Sequence, residues 1–146
     1  MLETKAILGE GPVWRAATQD LVWVDIESAR VCCFNTATSE NQTWDVGEKP
    51  GLAVTTKHGD LILCTSGGFV RFDLATGELS PNIDPEQDLP NNRFNDGKVD
   101  PEGRLWAGTM GIDEAPNVGS LYRLNRNLSA DKLFDQVSVS NGMVLT

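Results

Sequence analysis

The chain has 146 residues and a formal net charge of −9, with 21 acidic and 12 basic side chains. This length is enough for one domain with a hydrophobic core. The negative charge argues against nucleic acid and anionic membranes as partners, and it favours cations or neutral small molecules.

The chain shows no pattern of a targeting or membrane segment. Its first 14 residues lack a basic region followed by a long apolar run, so we expect no signal peptide. No apolar run approaches the ~20 residues that span a bilayer. Three cysteines, Cys32, Cys33 and Cys64, are odd in number and lack the spacing of a zinc site. These features predict a soluble cytoplasmic protein with buried free thiols.

Three short β-prone runs recur along the chain, beginning at Leu21, Leu61 and Leu105. Each follows a polar turn of the kind that joins two hairpin strands. Downstream of each run, a second strand ends in an Asx-type turn, in which an Asn or Asp side chain bonds nearby backbone. The three copies of this second element begin at Phe34, Phe72 and Leu124, the last being the loosest.

A repeat of about 40 to 45 residues with four antiparallel strands per unit is typical of a propeller blade. No helical periodicity lies between the runs. We therefore predict an all-β fold, a β-propeller of which about three blades are present, with a β-sandwich as the alternative. The single partial domain covers residues 1–146. Its predicted blades span about 10–49, 50–94 and 95–140, with the start of a fourth at 141–146.

Three blades are too few to close a ring, because propellers typically have four to eight. An open ring leaves strand edges and blade faces uncovered, which favours association. The sequence leaves open whether the chain is a fragment, the product of a split gene or a self-associating half.

Three oxygen-bearing side chains, Glu10, Asn95 and Asn141, lie at equivalent places in the repeat, at the start of each predicted innermost strand. In the second unit this place falls at Pro50 or Gly51, which offer no side-chain ligand. In a ring these places converge at one end of the axis. A carboxylate and two amides are hard ligands that suit Ca²⁺, Mg²⁺ or Mn²⁺ and can also hold Zn²⁺. The alternative is that all three are turn residues beside glycine.

The loop between the second and third predicted strands is longest in the third unit, near residues 110–117. Antiparallel order places this loop at the same end as the three oxygen-bearing side chains. It would overhang the axis there, as binding loops on rigid scaffolds do, unless it is a plain surface insertion.

Five blocks of this sequence resemble the family of regucalcin (senescence marker protein), gluconolactonase and related sugar lactonases, in that family's order and spacing. The blocks are LGEGPVW at 8–14, VWVDI at 22–26, RFNDGKVDPEGR at 93–104, GTM at 108–110 and SNG at 140–142. The resemblance implies the N-terminal half of a six-bladed propeller with one divalent cation on its axis, most readily Ca²⁺.

Carried over to this sequence, the resemblance implies that Glu10 and Asn141 are metal ligands. It implies that Arg93 and Asn95 contact substrate, with Asn95 also close to the metal. Asp113 matches an acidic substrate contact, and its neighbour Glu114 is the alternative. The family's remaining ligand is an aspartate that also accepts the proton. It belongs to a later blade beyond Thr146, so the resemblance assigns no catalytic base to this chain.

Two functions follow from these features. One is metal-dependent hydrolysis of a sugar lactone, in which the cation polarises the ester carbonyl and a carboxylate takes a proton from water. The other is a calcium-binding or interaction propeller without turnover. In the first case this chain alone would be inactive unless its own dimer or a C-terminal half supplies the missing base.

Overall fold

The computed structural model describes residues 5–145, which contain eleven β-strands and no helix, and so no helix that could cross a membrane. The strands are β1 (Gly9–Arg15), β2 (Asp20–Asp25), β3 (Arg30–Asn35), β4 (Asn41–Asp45), β5 (Pro50–Thr55), β6 (Leu61–Thr65), β7 (Gly68–Phe72), β8 (Asn92–Val99), β9 (Leu105–Gly111), β10 (Gly119–Leu124) and β11 (Ala130–Val137). They form three antiparallel sheets, β1–β4, β5–β7 and β8–β11, in which consecutive strands are neighbours. The all-β prediction is confirmed.

The three predicted β-prone runs lie in the second strand of each sheet, β2, β6 and β9. The turn before each of these strands contains one residue with positive φ: Gln19 at 57°, Gly59 at 94° and Gly103 at 79°. Tight hairpins need such a residue, which is why the polar turns marked the strands correctly.

The Asx-type turns are present in the first two sheets and altered in the third. Asn35 Oδ1 accepts backbone N–H bonds from the second and third residues after it, at 2.9 and 2.8 Å. Asp73 Oδ1 accepts the equivalent pair at 2.8 and 3.3 Å. In the third copy Asn127, not Asn125, accepts the backbone N–H of Ser129, at 3.2 Å.

The second sheet departs from the expected four strands. Its fourth member is reduced to two isolated bridges, Phe69 to Ile83 and Phe72 to Leu79. Pro81 lies between the two bridging residues and has no N–H to donate, so a continuous ladder cannot form there.

The predicted blade boundaries differ in detail from the strand bounds. The third sheet starts at Asn92, so the boundary after residue 94 falls inside β8. The predicted start of a fourth blade is not a strand over residues 141–145, which follow β11 as irregular chain. Its last residue, Thr146, lies outside the described residues, as do residues 1–4 of the predicted domain.

The sheets pack face to face, with β5 against β1 on one side and against β8 on the other. These three first strands are therefore the innermost ones, and each sheet extends outward from them. Two apolar clusters fill the spaces between sheets. The cluster between the first and second sheets contains Val22, Val24, Ile26, Val31, Cys33, Val46, Ala53, Leu61, Leu63 and Phe72. The cluster between the second and third contains Leu52, Cys64, Phe69, Phe94, Leu105, Ala107, Tyr122 and Leu124.

The three cysteines are free and buried, in β3 and β6, as predicted. Burial raises the pKa of all three thiols, most strongly for the fully enclosed Cys64. The thiols are therefore held in their protonated, unreactive form, which is typical of packing residues.

Candidate functional site

A cavity of about 190 Å³ lies at one end of the innermost strands. Its polar and charged lining comes from Glu10, Arg93, Asn95, Asp96, Glu114 and Asn141. The structure thus brings together all three side chains that the repeat placed at equivalent positions, along with Arg93 and one of the two acidic candidates of the long loop. They come from the first sheet, the third sheet and the segment after β11.

Each innermost strand interrupts its hydrogen-bond ladder where it borders this cavity. The register shifts lie between Glu10 and Val13, between Pro50 and Leu52, and between Phe94 and Asp96. A bulge inserts an extra residue and re-aims the side chains around it. In β8 this lets two consecutive side chains, Asn95 and Asp96, line one cavity, whereas regular alternation would send them to opposite faces.

Asp96 is a lining residue that the sequence did not predict. The Asn-Asp-Gly run at residues 95–97 is typical of a turn or a bulge. A bulge predicted at this point of the strand would have placed a second side chain in the cavity.

The second sheet reaches the cavity through Gly51, at the place in the repeat where the sequence offers no side-chain ligand. A Cβ on Gly51 would lie 2.2 Å from the carbonyl oxygen of Phe94 and 2.9 Å from the Cα of Asn95. Only glycine lets β5 approach β8 this closely. The lack of a side chain at Gly51 therefore sets the distance between β5 and β8 at the cavity.

Glu10 follows a segment that is held by the buried carboxylate of Asp25. Asp25 accepts the backbone N–H groups of Ile7 at 3.1 Å and Leu8 at 2.9 Å, and the hydroxyl of Ser28 at 2.6 Å. Burial opposes the charged form, but these hydrogen bonds outweigh it, so the pKa of Asp25 is lowered. The carboxylate stays ionised and fixes where β1 enters the cavity wall.

Arg93 is tied to its own strand. Its Nη1 donates to Asn95 Oδ1 at 2.7 Å and to the carbonyl of Phe94 at 3.1 Å. Burial lowers the pKa of Arg93, and the carboxylates of Glu27 and Glu114 act in the opposite direction. Within residues 5–145, the guanidinium is the one basic group of a lining that otherwise carries three carboxylates, and its other N–H groups can donate to a ligand.

Asn141 lies outside any strand and is carried into the cavity by two anchors from β8. Asn95 Nδ2 donates to the carbonyl of Ser140 at 2.8 Å, and the N–H of Met143 donates to Asp96 Oδ2 at 3.0 Å. These bonds hold the chain on both sides of Asn141, whose side chain is left exposed to the cavity.

The long loop of the third sheet presents Glu114, not Asp113, to the cavity. Asp113 turns away, where its Oδ1 accepts the N–H of Ala115 at 3.2 Å and its side chain lines a neighbouring cavity with Asp88 and Asn91. Glu114 has a φ of +59°, a left-handed conformation that reverses the chain at this point. That reversal separates the directions of two neighbouring acidic residues.

The lining offers a partial ligand set for a hard cation. Glu10 and Asn141 supply a carboxylate and an amide oxygen on exposed side chains, and both are suited to Ca²⁺. Asn95 Oδ1 already accepts a bond from Arg93, so it would have to exchange that partner for the ion. Within residues 5–145 no three His, Cys, Asp or Glu side chains are grouped to hold a metal. The residues thus fit a cation that completes its coordination with water, substrate or ligands from elsewhere.

The chain is similar to known proteins over nearly its whole length. The family profile described as "SMP-30/Gluconolactonase/LRE-like region" matches residues 8–146. Regucalcin from Xenopus laevis is 38% identical over 141 residues, which cover 93% of this chain and 47% of that protein. YvrE of Bacillus subtilis, named as a candidate sugar lactone lactonase, is 36% identical over 143 residues, covering 97% of this chain and 48% of that protein. The chain spans about half the length of the curated relatives it matches.

Solved structures show the same half-length match. A calcium-binding regucalcin from Agrobacterium tumefaciens superposes with a TM-score of 0.86 and 29% identity, over 93% of this chain and 46% of that one. A luciferin-regenerating enzyme gives a TM-score of 0.86 at 26% identity, over 94% and 48% of the two chains. A gluconolactonase from Xanthomonas campestris, at 22% identity and a TM-score of 0.73, shares the fold. That fold is the six-bladed β-propeller, and this chain covers about half of it.

Proposed function

The chain belongs to the SMP-30/gluconolactonase/LRE-like family, and from this premise we propose that it carries one part of the active site of a divalent-cation-dependent sugar lactone hydrolase. One observation carries the proposal. Glu10, Arg93, Asn95, Glu114 and Asn141 come from four separate segments of the chain and line a single cavity.

In this proposal, Arg93 and Glu114 bind the sugar. A sugar lactone is a cyclic ester that carries hydroxyl groups, so it offers donors and acceptors but no charge. The fixed donor fork of Arg93 suits ring and hydroxyl oxygens, and the carboxylate of Glu114 accepts from hydroxyls. The mixed charge of the lining fits a neutral polyhydroxy ligand better than an anion.

Glu10 and Asn141 would hold the cation, with Asn95 beside them. When bound, such an ion polarises the ester carbonyl and stabilises the charge that develops on its oxygen. Other residues of this chain would position the ligands. Asp25 holds the backbone that leads into Glu10, and Asn95 and Asp96 hold the segment that carries Asn141. The family resemblance implies that the base that deprotonates water belongs to a blade beyond Thr146, and we keep that assignment as part of the proposal.

A calcium-binding propeller without turnover is the second candidate. It is favoured by the partial ligand set within residues 5–145 and by the description of the Agrobacterium relative as calcium-binding. The two candidates share the cation site and differ in whether a lactone is hydrolysed.

We also propose that further sheets of the same ring cover the two outer faces of this chain. On the first sheet, Trp14 pairs with Leu21, which pairs with Phe34, so three apolar side chains form a row on the face opposite the core. On the third sheet, Leu121 pairs with Phe134, which is 64% exposed. Both outer faces therefore carry apolar side chains that a further sheet would cover. The half-length match to the relatives favours a C-terminal half as their occupant.

We place the protein in the cytoplasm on the basis of its three free thiols, which are typical of a reducing compartment.

The deciding experiment measures hydrolysis of glucono-δ-lactone with Ca²⁺, Mn²⁺ or Zn²⁺. The chain is tested alone, and again after mixing with a separately expressed C-terminal half-propeller, with sizing of each mixture. We expect a complex of one copy of each half, and turnover in that complex but not in the chain alone. Calorimetry follows cation binding, which Glu10→Gln should weaken at least about 10-fold, equal to about 1.4 kcal/mol. Glu78→Gln, an exposed change outside the cavity, is the matched control.

Cation binding by the complex without hydrolysis would favour the second candidate. Equal loss of cation affinity in Glu10→Gln and Glu78→Gln would overturn the proposed ligand. A complex of two copies of this chain, in place of the mixed complex, would overturn the proposed occupant of the outer faces.

A further inference from the structure

Glu86 is a buried carboxylate that the proposed mechanism does not use. It lies among the tight turns between Ile83 and Asn92 that join the second sheet to the third, and it is 8% exposed. Among the described residues, no salt bridge neutralises it. Burying a carboxyl group is costly unless hydrogen bonds satisfy it, so its partners indicate what it does in the fold.

The two carboxylate oxygens of Glu86 serve different parts of the structure. Oε1 accepts the hydroxyls of Tyr122 at 2.9 Å and Thr109 at 3.0 Å, which anchors the carboxylate to β9 and β10. Oε2 accepts Nδ2 of Asn92 at 3.0 Å. One oxygen therefore fixes Glu86 to the sheet, and the other holds a side chain at the start of β8.

Asn92 passes this restraint to the loop that carries Glu114. Its Nδ2 also donates to the carbonyl of Val118 at 2.9 Å, where the loop returns to the sheet. At the other end of the loop, the N–H of Ile112 donates to the carbonyl of Asn91 at 2.8 Å. The loop at residues 112–118 is thus held at both ends by the residues that immediately precede Arg93.

We propose that Glu86 is a positioning residue for the cavity. Through Asn92 it holds the 112–118 loop in the one arrangement that turns Glu114 toward Arg93 and turns Asp113 away. The hydrogen bonds alone support the effect of Glu86 on the loop. The consequence of that effect for lactone binding rests on the proposed function.

The test compares substitutions at the two ends of the network. Glu86→Leu removes every bond of the carboxylate, and Asn92→Ala removes the two bonds of the Asn92 amide, to Glu86 and to Val118, while the bonds of Glu86 to the sheet remain. Glu86→Gln is the conservative variant, because its amide oxygen can accept from Asn92 while its NH₂ group donates to the two hydroxyls. Tyr122→Phe is the matched control, since it loosens the anchor in the sheet and leaves the Asn92 link in place.

Hydrogen exchange and NMR of the chain give the first readout. In Glu86→Leu and Asn92→Ala we expect the backbone N–H groups of residues 112–115, 117 and 118 to exchange at least about 10-fold faster than any global loss of stability explains. The side-chain Nε–H signal of Arg93 should shift in both. Glu86→Gln should restore loop protection to within about threefold of the original chain. Tyr122→Phe should lower the denaturation midpoint without selective exchange in the loop.

The second readout is lactone hydrolysis by the complex with a C-terminal half. There, Asn92→Ala should raise KM about 10-fold, as expected for a lost oriented contact of about 1.4 kcal/mol. Faster hydrogen exchange in the loop supports the positioning role whether or not lactone is hydrolysed. A failure of the proposed function is therefore distinguished from a failure of the positioning role. The positioning role is overturned if Asn92→Ala leaves loop exchange unchanged, or if Glu86→Gln releases the loop as fully as Glu86→Leu. Because Asn92→Ala keeps the sheet anchor, the test stands even if Glu86→Leu does not fold.

Discussion

Asp25 shows how a single buried carboxylate sets the position of a site residue that it does not contact. It is 3% exposed, and its oxygens hold the two backbone amides that lead into Glu10. An ionised acceptor makes stronger hydrogen bonds than a neutral one. The charge of Asp25 therefore matters for both the stability of the first sheet and the geometry of the cavity.

The lowered pKa of Asp25 makes this contribution depend on pH. A carboxylate whose folded-state pKa is depressed stabilises the fold above its unfolded-state pKa, about 4, and loses that effect as the pH falls toward the folded value. At pH 7 we expect Asp25→Asn to lower the free energy of unfolding by about 1–3 kcal/mol. Urea denaturation between pH 7 and pH 3 should show the difference shrinking below about pH 4. Asp135→Asn, on exposed β11, is the control, and a difference that stays constant with pH would contradict the prediction.

Glu114 and Asp113 are neighbours of the same charge with different surroundings, so they make a matched pair. Glu114 lines the cavity, and Asp113 caps a turn outside it. We expect Glu114→Gln to raise KM for lactone about 10-fold in the completed ring, because a charge-assisted acceptor is lost. Asp113→Asn keeps an acceptor for Ala115 and should change KM less than about twofold. A larger effect at Asp113 would show that the loop changes direction when substrate binds.

At the scale of elements, the recurring feature is the bulge in each innermost strand. β1, β5 and β8 all shift register at the cavity end, and they run regularly through the rest of their length. Because a bulge adds a residue locally, it changes the direction of side chains at the cavity without disturbing the inward and outward pattern of the sheet core. The rigid sheets can therefore present irregular groups at one end.

A substitution at Gly51 in β5 tests whether the close approach of β5 to β8 matters for stability. In Gly51→Ala the new Cβ would collide with the backbone of Phe94, so β5 and β8 must separate. We expect a loss of about 1–3 kcal/mol in unfolding free energy, together with NMR shifts at Asn95. Gly47→Asn is the control, because Gly47 has a φ of +76° that Asn tolerates, and a Cβ added there would meet no atom within 4 Å. Equal losses in the two variants would contradict the prediction, because Gly47→Asn meets no neighbouring atom and Gly51→Ala meets β8.

At the scale of the whole molecule, the three sheets are joined by two separate apolar clusters that share the second sheet. Phe72 lies in the first cluster and meets Trp44 edge to face, with ring centroids 5.6 Å apart. Phe69 lies in the second and packs against Phe94 with ring centroids 4.6 Å apart. The middle sheet is therefore the element on which the stability of both neighbours depends.

Phe72→Leu should lower the free energy of unfolding by about 1–3 kcal/mol, since it leaves part of an enclosed ring site unfilled. Phe134→Leu, at an exposed position of the same residue type, should change it by less than about 0.5 kcal/mol in the isolated chain. Urea denaturation followed by both tryptophan fluorescence and circular dichroism provides the measurement. Transitions that no longer coincide in Phe72→Leu would indicate that the first sheet unfolds separately.

The sequence by itself determined the features that depend on residues close together in the chain. Hairpin turns with positive φ, apolar strands at a regular spacing and the equivalent places of Glu10, Asn95 and Asn141 all follow from local chemistry and one repeat. The same locality explains why the second unit was expected to contribute no ligand at Pro50 or Gly51.

Only the tertiary structure decided the features that depend on contacts between distant segments. The bulge in β8 brings Asp96 into the cavity, and the positive φ of Glu114 selects it over Asp113. Glu86 acquires its role from hydroxyls and an amide on three other strands. Neither a strand's alternation nor a repeat's spacing encodes such contacts, because they arise when sheets pack and each buried polar group must find a partner.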